Sequence, residues 1–127
     1  MKIVITSVMV DNQDKALDFY TNKLGFVKKN DIPMGEHRWL TLVSPDGGEV
    51  ELLLEPMAFA PAKVFQKALF DAGIPCTFFG VDDIEKEYQR LEAMGVVFKT
   101  KPTKMGPVTI AVFEDTCGNL VQVVQRN

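Results

Sequence analysis

The pattern of apolar and polar residues divides the first half of the chain into a strand, a helix and further strands. Residues 2–10 (KIVITSVMV) alternate and are rich in β-branched side chains, which predicts a β-strand. Apolar residues then recur at helical spacing, so a helix is predicted over about 12–24. An extended run resumes at 26–29, and two more strands are predicted at 38–44 and 49–55, on either side of a Pro-Asp-Gly-Gly turn.

The second half of the chain repeats this order at an offset of 71 residues. Val10 then falls on Val81, and Met34 falls on Met105. A helix is predicted to begin at Asp82 or Asp83 and to end at Gly95. The strands around it are predicted at residues 76–81, 96–100, 108–114 and 119–125. Such an internal repeat predicts two copies of one structural unit.

The predicted architecture is therefore α+β, with two βαβββ modules at 1–58 and 74–127 inside a single domain. Residues 61–73 are predicted to form a short linking helix whose inward face carries Val64, Phe65, Ala68 and Leu69. One such module has an apolar sheet face and open edges. Pairing two modules would curl the mixed sheets around a cavity.

Composition excludes several classes of partner. The formal net charge is −3, and lysine and arginine are scattered along the chain, which argues against nucleic acid. The apolar runs are far shorter than the roughly 20 residues that cross a bilayer, so no membrane association is expected. Two cysteines make no disulfide framework, and the N-terminus lacks a signal-peptide pattern. These features predict a reduced, cytoplasmic protein.

Four segments resemble the vicinal oxygen chelate superfamily, which includes glyoxalase I, bleomycin-resistance and fosfomycin-resistance proteins, and extradiol dioxygenases. They are VDNQDKALDFYTNKLGF, SPDGGEVELLLEP, FGVDDIEKEYQRLEAMGVVF and VFEDTCGNLVQVVQ. The resemblance covers essentially the whole chain. It implies the βαβββ fold, a homodimer as in many members, and a divalent metal in those members that are enzymes.

The resemblance also indicates where metal ligands would stand, on the first and last strands of each module. Carried over to this sequence, those positions are Ile5, Glu51, Cys76 and Gln122, and the offset of 71 residues relates Ile5 to Cys76 and Glu51 to Gln122. Isoleucine has no donor, glutamine is weak, and cysteine must lose a proton to bind well. A catalytic zinc usually needs three strong protein ligands. No cofactor is therefore expected, and a divalent metal is the less favoured alternative.

The candidate ligand-binding residues are Trp39, Thr41, Glu51, Cys76, Phe78 and Gln122, with Glu51 and His37 as the candidate catalytic residues. A glutamate in a cavity binds a cationic or hydroxylated ligand, or acts as an acid or base with a raised pKa. Each also has a structural alternative. Cys76 is interpreted first as a small buried residue, His37 as solvent-exposed, and Trp39 and Phe78 as core or cavity wall.

Three functions remain open from the sequence. The favoured one is metal-free binding of a small, mostly apolar or cationic molecule. The second is an enzyme, either a metal-dependent lyase or dioxygenase, or a metal-free isomerase or lyase with Glu51 or His37 as general base. The third is an interaction module whose cavity has no ligand. The fold cannot choose among them, because it supports unrelated functions.

Overall fold

The computed structural model describes residues 1–127 as two compact units, Met1–Val64 and Phe65–Asn127. The first unit contains one helix and one four-stranded sheet, with the strand order β1-β4-β3-β2. β1 pairs with β4 in parallel, and the other pairings are antiparallel. Its elements are β1 (Ile5–Val10), α1 (Gln13–Asp18) with a π-helical turn (Phe19–Lys23), β2 (Val27–Met34), β3 (His37–Val43) and β4 (Glu51–Pro56).

The second unit has the same plan, with the strand order β5-β8-β7-β6. β5 pairs with β8 in parallel, and the remaining pairs are antiparallel. Its elements are β5 (Thr77–Gly80), α3 (Ile84–Ala93), β6 (Phe98–Met105), β7 (Val108–Glu114) and β8 (Leu120–Arg126), preceded by α2 (Ala60–Asp71), which contains the boundary between the units. The predicted α+β fold of two βαβββ modules is confirmed. No helix of the chain is long and apolar enough to cross a membrane.

In each unit, a helix covers one face of the sheet and leaves the other face open. Asn12 caps α1 by accepting a hydrogen bond from the Lys15 amide at 2.9 Å, and Asp83 caps α3 in the same way through Lys86 at 3.1 Å. Strand alternation sends every second residue toward the helix. The helix-facing core of the first unit consists of Val8, Val10, Ala16, Phe19, Tyr20, Leu40, Leu42, Leu52 and Leu54.

The predicted inward face of the linking helix is wrong at Val64, Phe65 and Ala68, which are exposed, whereas Leu69 is half-buried. Val64 is 72% exposed and Phe65 is 65% exposed, and α2 has no buried residue. The side of α2 that contacts the second unit carries Gln66 instead. Its amide donates to the Cys117 carbonyl at 3.2 Å and to Asn119 Oδ1 at 3.1 Å. Gln66 therefore attaches its part of α2 to the turn at 117–119 within the second unit.

The offset of 71 residues fails at the last strand of each unit. It relates β2 to β6 and β3 to β7 without a gap, but the turn at 44–50 is two residues longer than the turn at 115–119. Thr41 pairs with Leu53, whereas its counterpart Val112 pairs with Gln122. The counterpart of Gln122 is thus Leu53 and that of Glu51 is Leu120, so the predicted equivalence of Glu51 and Gln122 is wrong.

The shorter turn is closed by a buried aspartate. Asp115 is 0% exposed, and its carboxylate accepts hydrogen bonds from the Cys117 amide at 2.7 Å and from the Asn119 amide at 3.0 Å. The Asn119 side chain donates a third, at 2.8 Å. Thr116, between them, has a φ of 63°, which is unusual for a residue other than glycine. The aspartate therefore holds a conformation that the turn would not adopt alone.

Candidate functional site

A polar cluster lies on the open sheet face of the first unit, around Glu51 at the start of β4. Asn30 Nδ2 on β2 donates to Glu51 Oε1 and to Thr41 Oγ1, both at 3.1 Å. The Lys29 ammonium lies 3.4 Å from Glu51 Oε2. Thr41 is fully buried, while the Glu51 side chain remains 16% exposed. We call these four residues, Lys29, Asn30, Thr41 and Glu51, the Glu51 cluster.

The cluster keeps Glu51 ionised. The hydrogen bond from Thr41, the Lys29 ammonium and the Asn30 amide together hold the pKa of Glu51 below its usual range, and partial desolvation opposes them only in part. The raised pKa that the acid/base interpretation requires is therefore contradicted. A carboxylate with a lowered pKa is a weak base, but it remains a charged hydrogen-bond acceptor at neutral pH.

Apolar side chains surround the cluster on the same sheet face. Ile5 is the strand partner of Glu51, and Ile32 is the strand partner of Trp39; they are 38% and 52% exposed. Trp39 is half-buried and lies two residues before Thr41, so strand alternation places both on this face. Trp39, Thr41 and Glu51 were predicted to share a face, and the structure brings them together there.

His37 begins β3 and is half-buried rather than fully exposed. It lines a separate pocket of about 330 Å³, together with Asp14, Arg38 and Lys63 among others. Arg38 is ion-paired with both Asp14 and Asp31. The role of His37 as a catalytic base stays a prediction.

The Gln13 side chain fixes α1 to this sheet. It donates to the carbonyls of Arg38 at 2.8 Å and Leu54 at 3.0 Å, and it accepts from the Arg38 amide at 3.0 Å. Two strands and the helix are thereby held in register. Sequence reasoning missed Gln13, because these hydrogen bonds join residues that are 25 and 41 positions apart.

The other three predicted binding residues lie in the second unit. Phe78 is the strand partner of Gln122, so these two share the open face of that sheet. Phe78 is 61% exposed and Gln122 is half-buried. Cys76 precedes β5, and its amide donates to the Leu120 carbonyl at 2.9 Å. The structure thus pairs Gln122 with Phe78, and Cys76 lies just before this paired segment.

The predicted burial of Cys76 is also wrong. The residue is exposed and lies just before β5. Desolvation of the thiol by the atoms around it, together with the nearby Asp115 carboxylate, nevertheless raises its pKa to about 11. The second cysteine, Cys117, is fully buried.

These donors do not fit a resident metal ion. In the first unit, Glu51 has Ile5 opposite it, and three protein groups already engage its carboxylate. In the second unit, the raised pKa of about 11 keeps the Cys76 thiol protonated at neutral pH. No group of three or more His, Cys, Asp or Glu side chains in the chain is arranged to hold a metal.

Comparison with known proteins identifies the family. The family model described as "Glyoxalase/Bleomycin resistance protein/Dioxygenase superfamily" matches residues 2–123. The chain belongs to this superfamily. A relative, the uncharacterised protein YurT of Bacillus subtilis (strain 168), is 63% identical over 127 residues, which cover 99% of this chain and all of YurT. Membership and fold are therefore established at the level of the superfamily.

Solved structures of two similar proteins extend the comparison. UcmS2 has a TM-score of 0.84 and 32% identity, covering 98% of this chain and 97% of its own. TnmS3, described as an antibiotic binding protein from Streptomyces sp. CB03234, has a TM-score of 0.80 and 26% identity, covering 100% and 97%. Both likenesses extend over whole chains, so they include both modules.

Proposed function

We propose that this chain binds a small molecule without a resident metal and acts as a cytoplasmic homodimer. The observation that carries the proposal is the Glu51 cluster, in which an ionised and partly exposed carboxylate lies on an open sheet face beside Trp39 and exposed isoleucines. Charged acceptors set in apolar surroundings are typical of ligand sites. The likeness to TnmS3, described as an antibiotic binding protein, supports the same class of function.

The geometry favours a ligand that is aromatic or apolar and carries a cationic or hydroxyl group. The carboxylate can accept hydrogen bonds from such a group, and the indole of Trp39 offers a flat surface for stacking. The Lys29 side chain is 51% exposed and its ammonium lies 3.4 Å from the carboxylate, so it can turn away when a ligand donor arrives. Binding rather than proton abstraction suits the lowered pKa of Glu51.

Calorimetry with proflavine, a planar aromatic cation, tests the proposal. Glu51→Gln is expected to weaken proflavine binding about tenfold, since a charge-assisted hydrogen bond is replaced by a neutral one. Glu49→Gln is the matched control, because Glu49 pairs with Lys2 on the surface with its side chain 78% exposed. Prior dialysis against EDTA should leave the affinity unchanged.

Two results would contradict the proposal. If Glu51→Gln and Glu49→Gln change the proflavine affinity equally, Glu51 does not contact the ligand. Failure of every aromatic cation, including proflavine, to bind or to raise the melting temperature would favour the interaction module instead. Sedimentation equilibrium tests the homodimer, for which the exposed apolar residues Val64 and Phe65 of α2 offer a surface; a monomer at every concentration would refute that part.

A further inference from the structure

A second pocket, in the unit Phe65–Asn127, lies where β5 and β8 end. Its volume is about 520 Å³, within the range of sites for small molecules. Its lining includes Phe78, Gly80, Asp82, Val124 and Arg126. None of these residues except Phe78 was singled out as a binding residue from the sequence. We call this the β5–β8 pocket.

Gly80 leaves this pocket open, and the fold gives no other reason for a glycine there. Its φ is outside the left-handed region, and an added Cβ would meet no atom within 4 Å. Glycine inside a strand weakens it, and it often marks a place where a ligand or another backbone approaches closely. The corresponding position of the first unit is Met9, so a side chain is compatible with this point of the fold.

The pocket also contains an unused cation. Of the three arginines, Arg38 and Arg90 are ion-paired, whereas the Arg126 guanidinium has no hydrogen bond or ion pair within the chain. Arginine stays protonated at any working pH, and its planar fork fits a carboxylate, sulfonate or phosphate. Phe78 is 61% exposed and offers an aromatic surface in the same pocket.

We infer that the β5–β8 pocket binds a planar aromatic group that carries an acidic substituent. The ring would lie over the space left by Gly80, against Phe78 and Val124, and the acidic group would pair with Arg126. Asp82, whose side chain also has no partner within the chain, would accept a hydroxyl or amine of the same ligand. The inference deepens the proposed function and rests on it, because it assigns a second ligand chemistry to the same binding protein.

Two fluorescent probes test the inference on the full chain. 8-Anilinonaphthalene-1-sulfonate carries an acidic group on an aromatic frame, and N-phenyl-1-naphthylamine has the same frame without it. Gly80→Val fills the pocket and is expected to weaken both probes about tenfold. Thr77→Val is the matched control, because Thr77 lies on the opposite face of β5. Circular dichroism confirms that each variant is folded.

Arg126→Gln separates charge from shape. It is expected to weaken the sulfonate probe about tenfold and to leave the neutral probe unchanged, because only the former carries the acidic group. Lys104→Gln, which removes an exposed positive charge from β6, should change neither. This variant also keeps the test decisive if Gly80→Val fails to fold.

Three outcomes would overturn the inference. Unchanged affinity of the sulfonate probe in both Gly80→Val and Arg126→Gln would mean non-specific probe binding only. An equal loss of affinity for both probes in Arg126→Gln would show that Arg126 does not recognise an acidic group on the ligand. Loss of dimer without loss of probe in Gly80→Val would show that another strand, rather than a ligand, approaches Gly80.

The proposed function is tested separately by proflavine and Glu51→Gln. If proflavine binding depends on Glu51 while the affinity of the sulfonate probe is unchanged in Gly80→Val and Arg126→Gln, only the inference about the β5–β8 pocket is refuted. If the affinity of the sulfonate probe falls in Gly80→Val and Arg126→Gln while proflavine affinity is unchanged in Glu51→Gln, the role of Glu51 in the proposed function is refuted instead.

Discussion

Removal of the Asp115 carboxylate should cost more stability than any surface change in the chain. Asp115→Ala leaves three donors without their acceptor, namely the backbone amides of Cys117 and Asn119 and the side-chain amide of Asn119. A buried donor left unsatisfied costs about 1–3 kcal/mol, and the turn can relax to recover part of this. We expect a loss of about 3–4 kcal/mol, a large part of a typical total of about 5–15 kcal/mol.

Urea unfolding followed by circular dichroism measures this loss. Asp46→Ala is the matched control, because Asp46 is exposed in the corresponding turn of the first unit. A surface change of this kind should stay within about 0.5 kcal/mol of the wild type. If Asp115→Ala is no more destabilised than Asp46→Ala, the hydrogen bonds to Asp115 do not hold the turn.

Asp115→Asn tests the charge of Asp115 through the reactivity of the Cys76 thiol, which a purely structural role of Asp115 would not change. Desolvation is the main cause of the raised pKa of Cys76, and the Asp115 charge is the next. Removing that charge should lower the thiol pKa from about 11, so the alkylation rate with iodoacetamide at pH 8 should rise. An unchanged rate in a folded Asp115→Asn variant would contradict the electrostatic contribution. Cys76→Ser should abolish labelling, since Cys117 is buried.

Two further predictions follow from contacts in the first unit. Gln13→Ala should lower the free energy of unfolding in urea by about 2 kcal/mol, because three partly buried backbone groups lose their partner. Gln89→Ala, which changes an exposed residue of α3, should lower it hardly at all. Equal losses in the two variants would refute the role of Gln13. The hydrogen bond from Arg38, with its charge, lowers the pKa of Asp31, whose ordinary value is 3.8. The folded state then binds this proton less readily than the unfolded state, so the stabilisation is present above about pH 4 and is lost as the pH falls through the lowered folded pKa. Asp31→Asn should therefore flatten the acid limb of the pH–stability curve, and an unaltered limb would contradict this.

The fold could be predicted from the sequence because its signals are local. Period-two alternation located the strands, and the caps Asn12 and Asp83 located α1 and α3. The order of elements then repeated, and a repeated order is enough to specify two modules. None of these steps requires knowledge of which residues meet across a long stretch of chain.

The position of Gln122 shows where sequence reasoning failed. A constant offset assumes that equivalent turns have equal length, and the Asp115 turn is two residues shorter than its counterpart at 44–50. A shift of two residues keeps each side chain on the same face of the strand, so the hydrophobic pattern gives no warning. It places Gln122 opposite Phe78. The buried carboxylate of Asp115 stabilises the shorter turn through its hydrogen bonds to Cys117 and Asn119.

Glu51 was predicted as a site residue, but its partners were not, and the partners determine its chemistry. Asn30 reaches Glu51 because β2 pairs with β3 through a break in register between Lys28 and Asn30, which the alternation of residues does not reveal. The break also leaves Lys29 close to the carboxylate. A glutamate alone on an apolar sheet face would have a raised pKa and could act as an acid or base. With these donors it has a lowered pKa, and the chemistry available to this face changes from proton transfer to recognition of a cation or hydroxyl.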